Sequence, residues 1–290
     1  VTTSLPLPVP LPPPLPLTWL YVPGDRPDVV AKALHAGADA VIVDLEDAVA
    51  PDRKEYARSA TAELLSDPQP PPVPVHVRVN ALESPLADAD LRAIAPLPGV
   101  AGLRLPKVAS RADVIRVAER AAPADGGSPT LHALVESALG LEHAFAIATA
   151  HPALRGLSLG EADLRADLGV REDAGLDWAR SRVVVAARAA GLAPPGQSVY
   201  PDTRDLDGLA ASCARGRALG FLGRGAIHPR QLPVIEQAYL PTAEEIERAE
   251  EITKAAATDE GALALPDGRF VDRAVVEGAQ RILTLAQRLR

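Results

Sequence analysis

Trp19–Leu45 reads WLYVPGDRPDVVAKALHAGADAVIVDL: an apolar run, a turn with Pro and Gly, a helix-patterned segment ending at Gly37, and a second apolar run. A strand, a helix and a strand in that order predict one parallel crossover unit, since two parallel neighbours need a helix-length connection between them. The turn YVPGDRP holds a single glycine and two prolines. That speaks against the glycine-rich phosphate turn of an open dinucleotide-binding sheet. Outward from this unit the same alternation continues, with apolar runs VHVRV near 75, GLRLPKV near 102, TLHALV near 130, LRGLSL near 154, QSVYP near 197 and GAIHP near 225. Helix-patterned segments such as YARSATAELL, ADVIRVAERAA and DLDGLAASCARGRALG separate them. With WLYV and AVIVDL the count is eight strands, which predicts an α/β fold, a TIM (β/α)8 barrel with a C-terminal helical extension. The runs are apolar on nearly every residue, as expected where helices cover the outside and side chains fill the inside.

The 290 residues suit one barrel plus an extension. Three segments are expected: a proline-rich, disordered tail over 1–17, the barrel over 18–240, and over 241–290 a helical extension and lid belonging to the same functional unit. Thr242 before an acid-rich turn marks the first helix of that extension. A net charge of -8 and a pI near 5.3 lack the clustered basic residues that nucleic acid or an anionic membrane requires. The first seventeen residues match neither a secretory signal nor a spanning helix. The lone Cys213 excludes an internal disulfide and is read as a small packed residue, so a cytoplasmic location is expected.

A barrel aims its chemistry from the C-terminal ends of its strands, and there stand Arg78 in VHVRVN, Glu136 in HALVES and Asp163 in LSLGEAD. Two hard oxygen ligands facing a guanidinium suggest Mg2+ holding an anionic substrate. Asp44, Glu46 and Asp47 crowd the end of the second run, where so many acids demand cations, hydrogen bonds or water. Arg78 is therefore expected to bridge these acids and to bind a substrate carboxylate as well. Lys107 reads as an electrostatic or positioning group, and His228 as a hydrogen-bonded structural residue. A metal chelated by a 2-oxo or 2-hydroxy carboxylate, with a cation opposite, suits an enolate made or consumed at a carbon–carbon bond.

The phrases WLYVPGDRP, GADAVIVDLEDAV, RVNAL, LRLPKV, ALVESALG, LGEADL and GAIHPRQLPVI occur in this order from Trp19 onward. In them the chain resembles the citrate lyase beta-subunit-like branch of the aldolase/citrate lyase family. The resemblance implies a TIM barrel, a homotrimer or larger assembly, and Mg2+-dependent cleavage or formation of a carbon–carbon bond in an acyl thioester, most simply of coenzyme A, with a 2-oxo acid as the other partner. It also implies that Glu136 and Asp163 hold the metal and that Arg78 and Glu136 meet substrate. Asp44 and Asp47 would reach metal-bound waters, and Asp272 in GRFVD would enter a neighbouring subunit's site as a catalytic group. Alternatives are a citrate lyase beta subunit needing an acyl-carrier partner, a pyruvate-dependent aldolase, and a metabolite-binding barrel without catalysis. Two departures from the family phrases stand out: Gly-Glu-Ala-Asp at 160–163 instead of Gly-Ala-Glu-Asp, and Gln197 where relatives often carry Asp.

Overall fold

A computed structural model describes residues 15–122, 129–257, 263–264 and 268–289. The proline-rich residues 1–14, and 258–262 and 265–267 of the expected lid loop, lie outside the described residues. The chain divides into two compact units, Pro16–Tyr239 and a C-terminal unit beginning at Leu240.

The first unit holds strands β1 (Thr18–Pro23), β2 (Ala40–Asp44), β3 (Val75–Arg78), β4 (Val100–Leu105), β5 (Thr130–Val135), β6 (Leu154–Leu159) and β7 (Arg224–Ala226). Between them run helices α1 (Pro27–Ala33), α2 (Lys54–Leu65), α3 (Pro85–Ile94), α4 (Arg111–Ala121), α5 (Ala138–Glu142), α6 (Ala144–Ala148), α7 (Glu161–Leu168), α8 (Asp177–Ala189) and α9 (Leu206–Ala218), with α10 (Leu232–Tyr239) last. The strands pair in parallel in the order β6-β5-β4-β3-β2-β1-β7. All five residues of β2 are buried, as a strand with helices on one face and side chains on the other must be. Helix starts follow their local chemistry: Ser110 and Asp113 form a reciprocal capping box for α4, and Ser137 accepts from Gly140 N–H to begin α5.

Two contacts reveal the curvature of the sheet. The Arg78 guanidinium of β3 lies 5.5 Å from the Tyr21 ring of β1, although β2 separates their strands. Arg104 of β4 reaches 5.6 Å from the Trp19 ring of β1 across two intervening strands. Only a sheet curled into a trough brings such side chains together on its concave face. The fold is thus α/β with a curled parallel sheet of seven strands, a half-barrel.

The run QSVYP, expected as the seventh of eight strands, forms a single parallel bridge between Gln197 and Arg224. Gln197 N–H donates to Gly223 O at 2.9 Å and Gly225 N–H to Gln197 O at 3.0 Å. Pro195 and Pro201 flank it and offer no donors with which to extend a ladder. Toward β6 the connection passes through a side chain: Ser198 Oγ donates to Leu159 O at 2.5 Å and accepts from Glu161 N–H at 3.1 Å.

In the C-terminal unit, α11 (Ala243–Ala256) begins with a capping box between Thr242 and Glu245, and α12 (Arg273–Ala286) begins at Asp272. Strands β8 (Leu263–Ala264) and β9 (Phe270–Val271) pair antiparallel between them. Among the described residues no helix is long and apolar enough to cross a membrane.

Candidate active site

Parallel register sets the floor of the site. Asp44, the last residue of β2, pairs with Arg78, the last of β3, and Arg78 pairs with Arg104 of β4. Arg78 grips Asp44 through two parallel bonds, Nε to Oδ1 at 2.7 Å and Nη2 to Oδ2 at 2.6 Å. The same carboxylate accepts from the N–H of Glu46 at 2.9 Å and of Ala48 at 3.1 Å. Both oxygens of Asp44 are thereby saturated from within the chain, and its work is to fix Arg78. Burial pulls the Arg78 pKa down, but these bonds and the charge of Asp44 outweigh it, so the guanidinium stays charged.

Glu46 lies buried beneath two cations. Lys107 Nζ donates to its Oε1 at 2.6 Å, and Arg78 Nη1 approaches Oε2 to 3.0 Å without the alignment of a hydrogen bond. Burial raises the Glu46 pKa, partly countered by Arg78 and Lys107. Lys107 stands just past β4 with φ 53°, the left-handed region that an L side chain seldom enters. That turn aims its backbone N–H at Glu136 Oε2, 2.9 Å away. Burial pulls the Lys107 pKa down, but Glu46, Asp47 and Glu136 prevail and raise it. A protonated lysine suits an electrostatic role and not a Schiff base. Asp47 is exposed and stands 3.9 Å from both Arg78 and Lys107.

Glu136 follows β5 and is buried against Gly160. A Cβ at position 160 would lie 2.4 Å from Glu136 Cγ, so only glycine leaves room for the carboxylate. Its pKa is pushed up to about 7, first by burial and then by the charge of Glu46, with Asp163 adding to the rise against the Lys107 N–H and Arg78. Asp163 sits exposed in the first turn of α7. Glu161, its neighbour in the displaced Gly-Glu-Ala-Asp phrase, is turned away to Arg180, whose Nη2 donates to Glu161 Oε2 at 2.5 Å and to Asp173 Oδ1 at 2.8 Å. Asp163 is therefore the acid of that phrase left without an arginine partner, and its charge is felt at Glu136.

These two carboxylates fit a hard divalent cation. Among the described residues, Glu136 Oε1 and both Asp163 oxygens accept no protein hydrogen bond. The mutual repulsion that helps to raise Glu136 is also what a cation between the two would relieve. No cage of three or more His, Cys, Asp or Glu side chains occurs among the described residues, and Mg2+ commonly takes one or two carboxylates and keeps several waters.

Asp272 belongs to the C-terminal unit, where Oδ1 accepts from Val275 N–H at 3.0 Å as the cap of α12. His228 accepts from Arg230 N–H through Nδ1, a capping bond, and Cys213 is fully buried. Sequence reasoning gave Gly160 no role, and it placed Glu46 in the acidic cluster on the face of Asp44 without naming it among the site residues. The spacing of Asp44 and Glu46, two apart after an apolar run, was the available signal for Glu46.

The HpcH/HpaI aldolase/citrate lyase family model matches residues 17–229, which contain every one of these groups except Asp272. The chain belongs to this family. Within the aldolase/citrate lyase family, it is 33% identical over 282 residues to citrate lyase subunit beta of Leuconostoc mesenteroides subsp. cremoris, covering 93% of this chain and 92% of that one. It is 35% identical over 276 residues to a (3S)-malyl-CoA thioesterase of Cereibacter sphaeroides, covering 92% and 93% respectively. It also resembles the crystal structure of protein CitE from Mycobacterium tuberculosis in complex with magnesium, acetoacetate and coenzyme A. The identity there is 35% and the TM-score 0.79, over 94% of this chain and 98% of that one.

Proposed function

We propose that this protein is a Mg2+-dependent carbon–carbon lyase that cleaves, or in reverse forms, a malyl-, citramalyl- or citryl-type coenzyme A thioester, giving a 2-oxo acid and an acyl thioester. The observation that carries the reading is the pair of neighbouring acids Glu136 and Asp163, free among the described residues of protein donors on the oxygens that a metal needs, beside the cations Arg78 and Lys107 that meet at Glu46. Glu136 and Asp163 hold the magnesium, which when bound polarises the oxygen of the acid that it chelates. Arg78 is locked by Asp44 in one orientation and keeps N–H donors for a substrate oxygen, where it stabilises developing enolate charge. Lys107 orients Glu136 through its backbone and neutralises Glu46 through its ammonium. Asp47, exposed at the rim, reaches water in the site. Asp272, by its place in the family phrase, removes the α-proton of the thioester in a neighbouring subunit's site when the reaction runs toward bond formation.

The segment at Gln197 then counts as the eighth stave of a closed (β/α)8 barrel, and the protein works as a cytoplasmic homotrimer or hexamer, with 241–290 as its lid. A second reading, in which the thioester arrives on an acyl-carrier partner, draws support from the identity to a citrate lyase subunit beta.

The test is turnover of the purified chain with magnesium on a panel of hydroxyacyl-coenzyme A thioesters, following 2-oxo acid release. EDTA-sensitive cleavage is expected, with Glu136→Gln slower by at least about 100-fold, the scale of removing one group that stabilises developing charge. Full metal-dependent turnover by Glu136→Gln would refute the assignment.

A further inference from the structure

Arg104 is a buried cation that the site described so far does not use. It is 5% exposed, its Nε has no hydrogen-bond partner, and among the described residues no carboxylate pairs with it. Other buried arginines of this chain have at least one side-chain partner, although Arg224, like Arg104, has an unpartnered Nε. Arg180 binds Glu161 and Asp173, and Arg224 donates to Ser212 Oγ at 2.9 Å. Among the described residues, the groups recorded against Arg104 are neutral: the Trp19 ring, the phenol of Tyr21, and His76 and His132, whose rings meet edge to face at 4.7 Å. Gly102 and Gly156 make room for those two rings, since a Cβ at either would fall 2.7 and 2.4 Å from an imidazole nitrogen. Both imidazoles are held neutral, their pKa values lowered by burial and then by the charge of Arg104.

An unpaired guanidinium in such a place is costly unless an anion completes it. Its location points to where that anion comes from. Arg104 pairs in register with Arg78 and projects across the same concave face, and Tyr21, the residue between them, feels the charges of Arg104, Arg78, Asp44 and Glu136 together. Trp19 and Tyr21 keep part of their surface open on that face, whereas Leu20 and Val22 on the opposite face of β1 are buried. The concave face that carries Arg78 thus also carries an unanswered positive charge beside partly open aromatic rings.

We propose that Arg104 is a specificity-determining residue that receives a second carboxylate of the 2-oxo acid, so that the protein selects dicarboxylic over monocarboxylic partners. This rests on the lyase reading, in which the first carboxylate is held with the metal at Glu136 and Asp163. Alignment of a guanidinium with a carboxylate by paired hydrogen bonds is the interaction it is built to make.

The experiment is calorimetric titration of the full-length protein, with magnesium, by freshly dissolved oxaloacetate and by pyruvate, which differ by one carboxylate. Wild type is expected to bind oxaloacetate roughly 10- to 100-fold more tightly, the range of a charged hydrogen bond in a buried site. Arg104→Leu is expected to erase that preference while leaving pyruvate affinity unchanged, and Arg104→Lys to retain part of it. Thermal unfolding without ligand gives an independent reading: Arg104→Leu should melt no lower than wild type, because it removes an uncompensated buried charge. An unchanged preference in Arg104→Leu, or an equal loss for both acids, overturns the proposal and leaves the lyase reading standing. Binding of neither acid by wild type overturns both.

Discussion

Gly160→Ala isolates the geometry of the proposed metal pair with a single methyl group. Gly160 has φ -90° and ψ 88°, a backbone that alanine tolerates, so the whole effect comes from contact. The added Cβ would stand 2.4, 2.5 and 2.8 Å from Cγ, Oε1 and Cδ of Glu136, well inside contact distance. Forcing a carbon into so full a space costs about 1–3 kcal/mol, against about 0.4–1 kcal/mol gained from a less flexible unfolded chain. The clash wins, and Glu136 must swing out of place, because its neighbour at 160 is backbone and cannot retreat. A melting temperature lower by roughly 2–8 °C follows for a unit of this size. Magnesium affinity, read by calorimetry, should fall roughly 10- to 100-fold, the scale for disturbing a group that orients a ligand. If Gly160→Ala bound magnesium within about twofold of wild type, Glu136 would not be held by this contact and the account of the site would fail.

The left-handed backbone at Lys107 predicts that Lys107→Gly is more stable than Lys107→Ala by about 1 kcal/mol in urea unfolding, since both lose the bond to Glu46 and only alanine keeps the strain. Equal stabilities would mean that the turn is relaxed. His76 has its pKa lowered to about 3, by burial first and then by Arg104, against about 6.5 when unfolded. Its contribution is complete above pH 6.5 and is lost as pH falls toward 3, because the unfolded chain takes up the proton that the folded one refuses. Between pH 7 and pH 5 wild type should therefore lose about 2 kcal/mol more than His76→Gln, and parallel stability curves for the two proteins would refute this.

Much of the site was legible because strand periodicity and parallel pairing work together. An apolar run ending in Asp44 beside one ending in Arg78 puts acid against base as soon as the two strands align in register. Glu136 and Asp163 follow from the same rule, as the first polar acids beyond β5 and β6 that remain uncommitted. Other features hide for physical reasons. Alternation told of a strand at Gln197, but the prolines around it deny the ladder its donors. Arg104 sits in an apolar phrase, where nothing in the pattern reveals whether a partner awaits it across the sheet. Glu161 and Asp163 look interchangeable in sequence until Arg180, from a helix farther along the chain, claims the first.

The hydroxyl of Ser198 has a reach beyond the join that it makes. By holding the carbonyl of Leu159 and the N–H of Glu161, it pins the end of β6 to the start of α7, the helix that carries Asp163. The gap between the two carboxylates is therefore gauged from outside the pocket, by one side chain on a segment without a ladder of its own. A small ion such as magnesium needs a narrow, well-fixed gap, while a larger one tolerates slack. In the proposed metal site, ion-size discrimination is in that sense a property of the seam.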